Sequence, residues 1–264
     1  MNNLLKYLSL SLTLVLVISC SDYNKIVKGD DYQAKFSRAN NLFDDKEYDR
    51  CIVLYEQVYQ HSPKSGEGEL AYYRLGKSYF EMEDYYMSGY YFSSYIQRFP
   101  FSTKTEEAYF LMSISNVKNS PEFALDQTET EQAIISVQSF IDRYPTSKLI
   151  DSCNSVIDNL RFKLERKDFE QVRLYSKTEN FRAAVTAAEI FMEKYSKSQF
   201  FEEVNYLLVK NSYLLSINSI PSKKLERIEQ TIERFSNFAV LYSKSTYLSE
   251  LQGYIELLER SKNK

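Results

Sequence analysis

One phrase returns along the 264-residue chain: His61-Ser-Pro63-Lys-Ser65, Arg98-Phe-Pro100-Phe-Ser102, Arg143-Tyr-Pro145-Thr-Ser147 and Lys194-Tyr-Ser196-Lys-Ser198, with Arg234-Phe235-Ser236-Asn237 as a weaker fifth copy. Pro cannot continue a helix, and it biases the residue before it away from the helical region. The Ser two positions on is placed to cap the helix that follows. Each copy therefore predicts the end of one helix and the start of the next, which restricts the chain to a row of similar helical pieces.

The best-formed piece is Leu70 to Ser102, which reads as one helical hairpin. Tyr72, Leu75, Gly76 and Tyr79 stripe its first helix at i, i+3, i+4 and i+7. Tyr85, Ser88-Gly89, Phe92 and Tyr95 stripe the second, with the turn near Glu83-Asp84 and a stop at Phe99-Pro100. Large residues, a small residue where two helices touch and a closing Pro are the tetratricopeptide layout, whose bare period is about 34 residues. The expected fold class is all-α, an α-solenoid of about five such hairpins with a C-terminal capping helix. The units are placed at about 33–63, 70–100, 103–145, 149–196 and 200–236, the cap at 241–260, within one domain over 33–264.

Residues 1–19 are set apart as a lipoprotein signal peptide: Lys6 supplies a positive start, and the apolar run Leu8 to Ile18 is too short to span a bilayer. The run ends in Val17-Ile18-Ser19-Cys20, which looks like a bacterial lipobox. That makes Cys20 the expected lipidation site, carrying diacylglycerol and an N-acyl chain that hold the protein to a membrane surface. Ser21, in place of Asp, favours the outer membrane. Residues 20–32 are read as the lipidated Cys and a short polar tether.

Further along, Thr103-x-x-Glu106 reads as a capping box, and Asn116 to Thr130 as a long acidic loop containing Pro121. Leu149 to Ser176 reads as a long helix, or two nearly continuous ones, joining units three and four. Cys51 takes the small-residue position of its helix, and no disulfide to Cys153 is expected between such distant repeats.

The chemistry of most function classes is missing. The net charge of −3 removes the electrostatic case for nucleic acid, and a single His, His61 in a polar turn, excludes a multi-His metal site. No phosphate-cradling glycine loop, HExxH, CxxC or nucleophile elbow occurs, so no catalytic residue, metal or other cofactor is assigned. Carboxylate pairs such as Glu81 and Glu83 have no motif around them. What is left is binding. In such solenoids the first helix of each unit presents the ligand-selecting surface. Its positions here are Phe36, Asn40 and Phe43 in unit one and Tyr73, Lys77 and Phe80 in unit two. Aromatics with Asn and Lys suit an extended peptide that has aromatic residues; the competing reading makes Phe36, Phe43 and Phe80 core residues.

In the order of its features the chain resembles the BamD family, tetratricopeptide lipoproteins of the outer-membrane β-barrel assembly machinery. The features are Cys20, a short tether, five units, Tyr72-x-x-Leu75-Gly76, the acidic LDQTETEQAI insertion running into FIDRYPTS, the long linking helix and Phe181-Arg182-Ala183-Ala184. The resemblance implies a non-enzymatic, lipid-anchored protein on the periplasmic face of the outer membrane. It implies binding to the POTRA domains of a BamA-type insertase through the C-terminal repeats. It also implies that the N-terminal repeats receive unfolded outer-membrane β-barrel precursors, which commonly end in an aromatic residue. Another envelope tetratricopeptide lipoprotein, a Tol–Pal or peptidoglycan-associated scaffold, is the alternative, although no heptad run precedes the repeats. A SusD-type glycan binder would need Trp, and the chain has none.

Overall fold

The computed structural model describes residues 22–262, and among them there is no strand. Helices follow in antiparallel pairs: α1 (Tyr32–Asp44) with α2 (Tyr48–His61), α3 (Gly66–Glu81) with α4 (Tyr85–Arg98), and α5 (Thr105–Asn119) with α6 (Thr128–Arg143). The long α7 (Ile150–Lys177) leads to α8 (Phe181–Lys194), then α9 (Phe201–Ile217), α10 (Pro221–Leu241) and a last helix, α11 (Leu248–Lys262). This is the all-α, solenoid-like class expected from the repeated phrase.

Each hairpin bends by one rule. Lys46, Glu83 and Glu179 sit in the left-handed region (φ 62°, 61° and 58°) two residues past the end of a helix. The amide that follows reaches back over the last turn: Glu47 N to Leu42 O (2.8 Å), Asp84 N to Tyr79 O (2.9 Å) and Asn180 N to Tyr175 O (3.0 Å). These bonds satisfy carbonyls that the helix end leaves open. The closing turns also share one geometry: Phe99, Tyr144, Tyr195 and Tyr242 have φ of −127°, −126°, −127° and −129°.

Five expectations are corrected in detail. The fifth closing turn is not at Arg234–Asn237, because α10 runs through those residues to Leu241. The turn is Tyr242-Ser243-Lys244-Ser245, which repeats Tyr195-Ser196-Lys197-Ser198 letter for letter. With no Pro to stop it, the helix runs on. The closing Ser caps a helix only at Ser65, whose hydroxyl accepts from Gly68 N (3.0 Å). Ser102, Ser147, Ser198 and Ser245 accept instead from the amide two residues on, at 3.1, 3.3, 2.9 and 3.2 Å, and so stabilise the approach turn.

The expected Thr103 capping box is absent. Lys104 holds the cap position of α5 with no side-chain bond. The loop over 116–130 shrinks to 120–127, because α5 continues to Asn119 and α6 starts at Thr128. Glu129 and Glu131 then fall in the first turn of α6, where the helix dipole favours acids. Finally, residues 22–28 of the expected tether are helical. Tyr23, Ile26 and Val27 pack on the first core. Cys20 lies outside the described residues.

The chain divides into two compact units. One holds α1 to α6 with α7 up to Ile157; the other holds α7 from Asp158 to α11, with Glu122–Asp126. The first core is built on tyrosines and phenylalanines: Tyr55, Phe92 and Tyr95 are fully buried, with Tyr72, Tyr73 and Leu75 beside them. Cys51 is buried there against Ser78 (Sγ to Oγ 3.2 Å), and burial pushes its thiol up to about 11, so it is a packing residue. Val137, Phe140, Cys153 and Ile157 form a further cluster in the same unit. In the other unit Phe169, Val172, Phe191, Val204, Val209 and Phe238 are central.

Candidate functional site

Two adjoining clusters lie along the first helices of the first unit. Around α1, Asn40 Oδ1 accepts from Tyr55 Oη (2.9 Å) and from Arg74 Nη1 (2.7 Å). Arg74 Nη1 also reaches Tyr55 Oη (3.0 Å), and its guanidinium stands 4.9 Å over the Phe43 ring. Burial pushes the Tyr55 hydroxyl well above its ordinary range, with the Arg74 guanidinium pulling the other way. Arg74 therefore joins two of the sequence-predicted positions, Asn40 and Phe43. Reading the face as Tyr73, Lys77 and Phe80 passed over it, although Arg74 precedes Lys77 by three and so shares its side of the helix.

The second cluster holds Tyr73 and Lys77. Tyr73 is buried, 4% exposed, with its ring edge-on to Phe92 (5.8 Å) and Tyr95 (5.5 Å). Lys77 Nζ meets Glu107 Oε1 of α5 at a long 3.4 Å. Lys104 places its ammonium 5.1 Å from the Tyr73 ring centroid, against 6.0 Å for Lys77. The Tyr73 hydroxyl faces the Glu107 carboxylate, but makes no bond of normal geometry and is left buried without a partner. Burial, then Glu107, holds it unionised. For Glu107, burial opposes ionisation, but the Tyr73 hydroxyl and the Lys77 and Lys104 ammoniums outweigh it and hold the carboxyl below its ordinary value.

The remaining positions are half-buried. Phe36, Phe43 and Phe80 all pack against the first core. Phe43 is edge-on to Tyr48 (5.5 Å) and Phe80 to Tyr85 (5.5 Å). They form the apolar floor beside the charged residues.

The second unit carries the same arrangement twice, with one change. Arg173 Nε pairs with Glu203 (3.5 Å), and Phe200 stacks on Phe169 at 4.2 Å. Lys210 pairs with Glu250 (3.2 Å), and Tyr247 stacks on Tyr206 at 4.1 Å. There Tyr206 Oη accepts from Lys210 (2.9 Å) and donates to Glu250 Oε2 (2.9 Å), so the group is closed on itself. In all three, an aromatic residue lies four before a cation on one helix. The helix opening the next hairpin brings a Glu, and three residues before that Glu stands the residue over the ring. That residue is aromatic at 200 and 247 and Lys at 104. The first unit is the one of the three in which the lid is a cation and the hydroxyl beneath it is unbonded.

A separate cavity of about 420 Å³ in the second unit is lined by Met192, Phe201, Asn205, Leu208, Arg234 and Val240, among others. Val240 and Leu241 at its rim are 82% and 62% exposed. Among the described residues no cluster of His, Cys, Asp or Glu could hold a metal ion, and no helix is long and apolar enough to cross a membrane.

No curated protein matches the chain. The sequence matches the family model YfiO, described as outer membrane lipoprotein, over residues 29–199, from just before α1 to the turn that opens α9. Well over half of the chain is covered, and the three hairpin turns built on Lys46, Glu83 and Glu179 all fall inside the match. The chain therefore belongs to the YfiO family of outer membrane lipoproteins.

Proposed function

We propose that the chain is a non-enzymatic assembly factor of the BamD kind. Its Cys20 carries the lipid that holds it to the periplasmic face of the outer membrane. It receives unfolded β-barrel precursors in the first unit and binds the POTRA domains of a BamA-type insertase with the second. The observation that carries this reading is the cationic lid at Lys104. Where the other two copies of the arrangement close with a stacked aromatic ring, Arg74, Lys77 and Lys104 here line an aromatic floor made by Phe43, Tyr73 and Phe80. A chain that ends in an aromatic residue offers a ring for that floor and a carboxylate for those cations. The Lys77–Glu107 pair is long enough for an incoming carboxylate to replace it, and the Tyr73 hydroxyl, which faces Glu107 without a bond of normal geometry, is a donor the carboxylate can take over. Phe36 and Asn40 extend the surface along α1 for the residues upstream. The exposed Val240 and Leu241 beside the C-terminal cavity supply the apolar patch that a folded partner domain needs.

Two measurements test the proposal. Purification of the tagged protein from native membranes in mild detergent should recover a POTRA-bearing insertase in stoichiometric amount. Recovery of Tol–Pal or peptidoglycan proteins without it sinks the reading. In titrations with a peptide ending in Phe, Lys77→Glu and Lys104→Glu should each weaken binding about tenfold, as one lost charge-assisted contact of roughly 1.4 kcal/mol requires. C-terminal amidation of the peptide should do the same. Unchanged affinity in both variants places the peptide elsewhere.

A further inference from the structure

Residues 22–28 are pinned at both ends. Tyr23 Oη donates to Arg50 O (3.0 Å), and the Arg50 guanidinium covers the Tyr23 ring at 4.3 Å. At the other end Lys35, only 4% exposed, sends its ammonium to Val27 O (3.1 Å) and Gln57 Oε1 (2.6 Å). Ile26 and Val27 face the core between these points, while Asn24, Lys25 and Lys28 face out. Fraying of this end would take Val27 O from an ammonium that stays buried, and a buried charge short of a partner is costly, so this end does not fray readily. The stretch also has a direction. Val27 lies near the start of α1, and Tyr23 lies at the first turn of α2, which is the edge where α1 turns into α2 over 44–47.

The covalent chain then limits where a lipid on Cys20 can be. Three peptide steps separate the Cα atoms of Cys20 and Tyr23, at most about 11 Å. The closing turn at Pro63 lies beyond the 14 residues of α2, about 21 Å farther at 1.5 Å per residue. From this geometry we infer that residues 22–28 are a rigid mount, which seats the α1–α2 turn edge of the first hairpin against the bilayer surface and holds the Pro63 edge away from it. The inference rests on Cys20 being lipidated. The seated edge carries Asp44, Asp45, Glu47 and Asp49 against Lys46 and Arg50, an acidic balance that anionic headgroups do not attract. The covalent anchor, through its short and fixed connection, sets the contact. Because the first unit also holds the candidate peptide surface, the mount fixes that surface in height and orientation relative to the membrane.

The test uses the full chain purified from membranes, with its acyl mass read by mass spectrometry. It is reconstituted in phosphatidylethanolamine–phosphatidylglycerol vesicles that contain a nitroxide-headgroup lipid. Cys51 and Cys153 are buried and unpaired, so a fluorophore can be placed on Asp45→Cys or Lys64→Cys, both exposed sites. The label at 45 should be quenched several-fold more than the label at 64. Inserting eight Gly/Ser residues between Ser21 and Asp22 adds a coil of about 16 Å and should abolish the difference at unchanged acyl mass. Equal quenching at both sites with the acyl mass present overturns the mount and leaves lipidation standing. A protein without the acyl mass overturns the lipidation reading, and the mount with it.

Discussion

The stretch from Glu69 to Glu107 in the first unit and the stretch from Glu165 to Glu203 in the second carry one framework in one register and fill it differently. Glu69 accepts from Ser102 as Glu165 accepts from Ser198, both at 2.5 Å. Glu83 and Glu179 make the same left-handed turn, and Phe99 and Tyr195 the same closing turn. Between these fixed points the packing is inverted. The first stretch puts Gly76 opposite Phe92, so close that a Cβ on Gly76 would stand 2.9 Å from the ring. The second has Val172 and Ala188 at the same two places, both fully buried. The volume has moved from one helix to the other. On the surface the change is from Lys104 over Tyr73 to Phe200 over Phe169. Backbone hydrogen bonds and caps thus set the repeat, while the side chains between them are free to build either a sealed stack or an open cationic site.

The largest expected effect tests the inverted pair. Phe92→Ala removes a fully buried ring and should cost about 3–5 kcal/mol in denaturant unfolding. Gly76→Val forces a branched side chain into that ring and should cost about 3 kcal/mol. The double variant copies the Val172–Ala188 solution, so its cost should fall short of the sum by about 1–3 kcal/mol. Strict additivity would mean that the two pairs are not equivalent. Next in size is Lys104→Tyr, which copies the lid at Tyr247. It should stabilise the first unit by about 1 kcal/mol through stacking on Tyr73 and weaken binding of a peptide carboxylate. A stabilised protein that binds the peptide as before would separate the lid from the site.

The same comparison explains what could be read from the sequence. Hairpins closed by Pro63, Pro100 and Pro145 were legible because Pro stops a helix wherever it stands. So was Gly76 as the point of helix contact. The fifth closing turn was not, because Ser243 carries no such prohibition. The signal available was the verbatim return of Tyr-Ser-Lys-Ser at 195 and 242, which matters only once the repeat register is known. The candidate surface was half legible. Lys77 and Asn40 follow from helix periodicity, but Lys104 and Glu107 reach the site from the next hairpin, and Tyr73 lies beneath the surface. Residues 22–28 were hidden because a short helix pinned by Tyr23 and Lys35 has too few apolar positions to show a period.

Smaller effects should come from the hairpin turns. An L-residue in the left-handed region is disfavoured by about 1–2 kcal/mol, of which Gly recovers part and loses part to its unfolded-state freedom. Glu83→Gly and Glu179→Gly should each stabilise by a few tenths to about 1 kcal/mol, equally in the two stretches. A gain at one turn alone would show that its side chain has a role beyond the bend.

The smallest effect is electrostatic and separates a closed group from an open one. Burial opposes ionisation of Glu250, but the hydroxyls of Tyr254 and Tyr206 and the ammonium of Lys210 outweigh it, so its carboxyl lies below its ordinary value of 4.5. Glu107 is lowered in the same direction by Tyr73, Lys77 and Lys104. A carboxyl lowered in the folded state contributes stability that is fully present above its unfolded value and is lost as the pH falls through the folded value. Melting temperature should therefore drop as the pH goes from about 5 towards 3, and Glu250→Gln and Glu107→Gln should each flatten that drop. The two differ at neutral pH. Glu250→Gln should lower the melting point, because Tyr206, Tyr254 and Lys210 lose a shared acceptor. Glu107→Gln leaves Lys77 and Lys104 unneutralised and should strengthen binding of a peptide carboxylate. If Glu107→Gln leaves that binding unchanged, Glu107 does not compete for the cations, and the first group is as closed as the second.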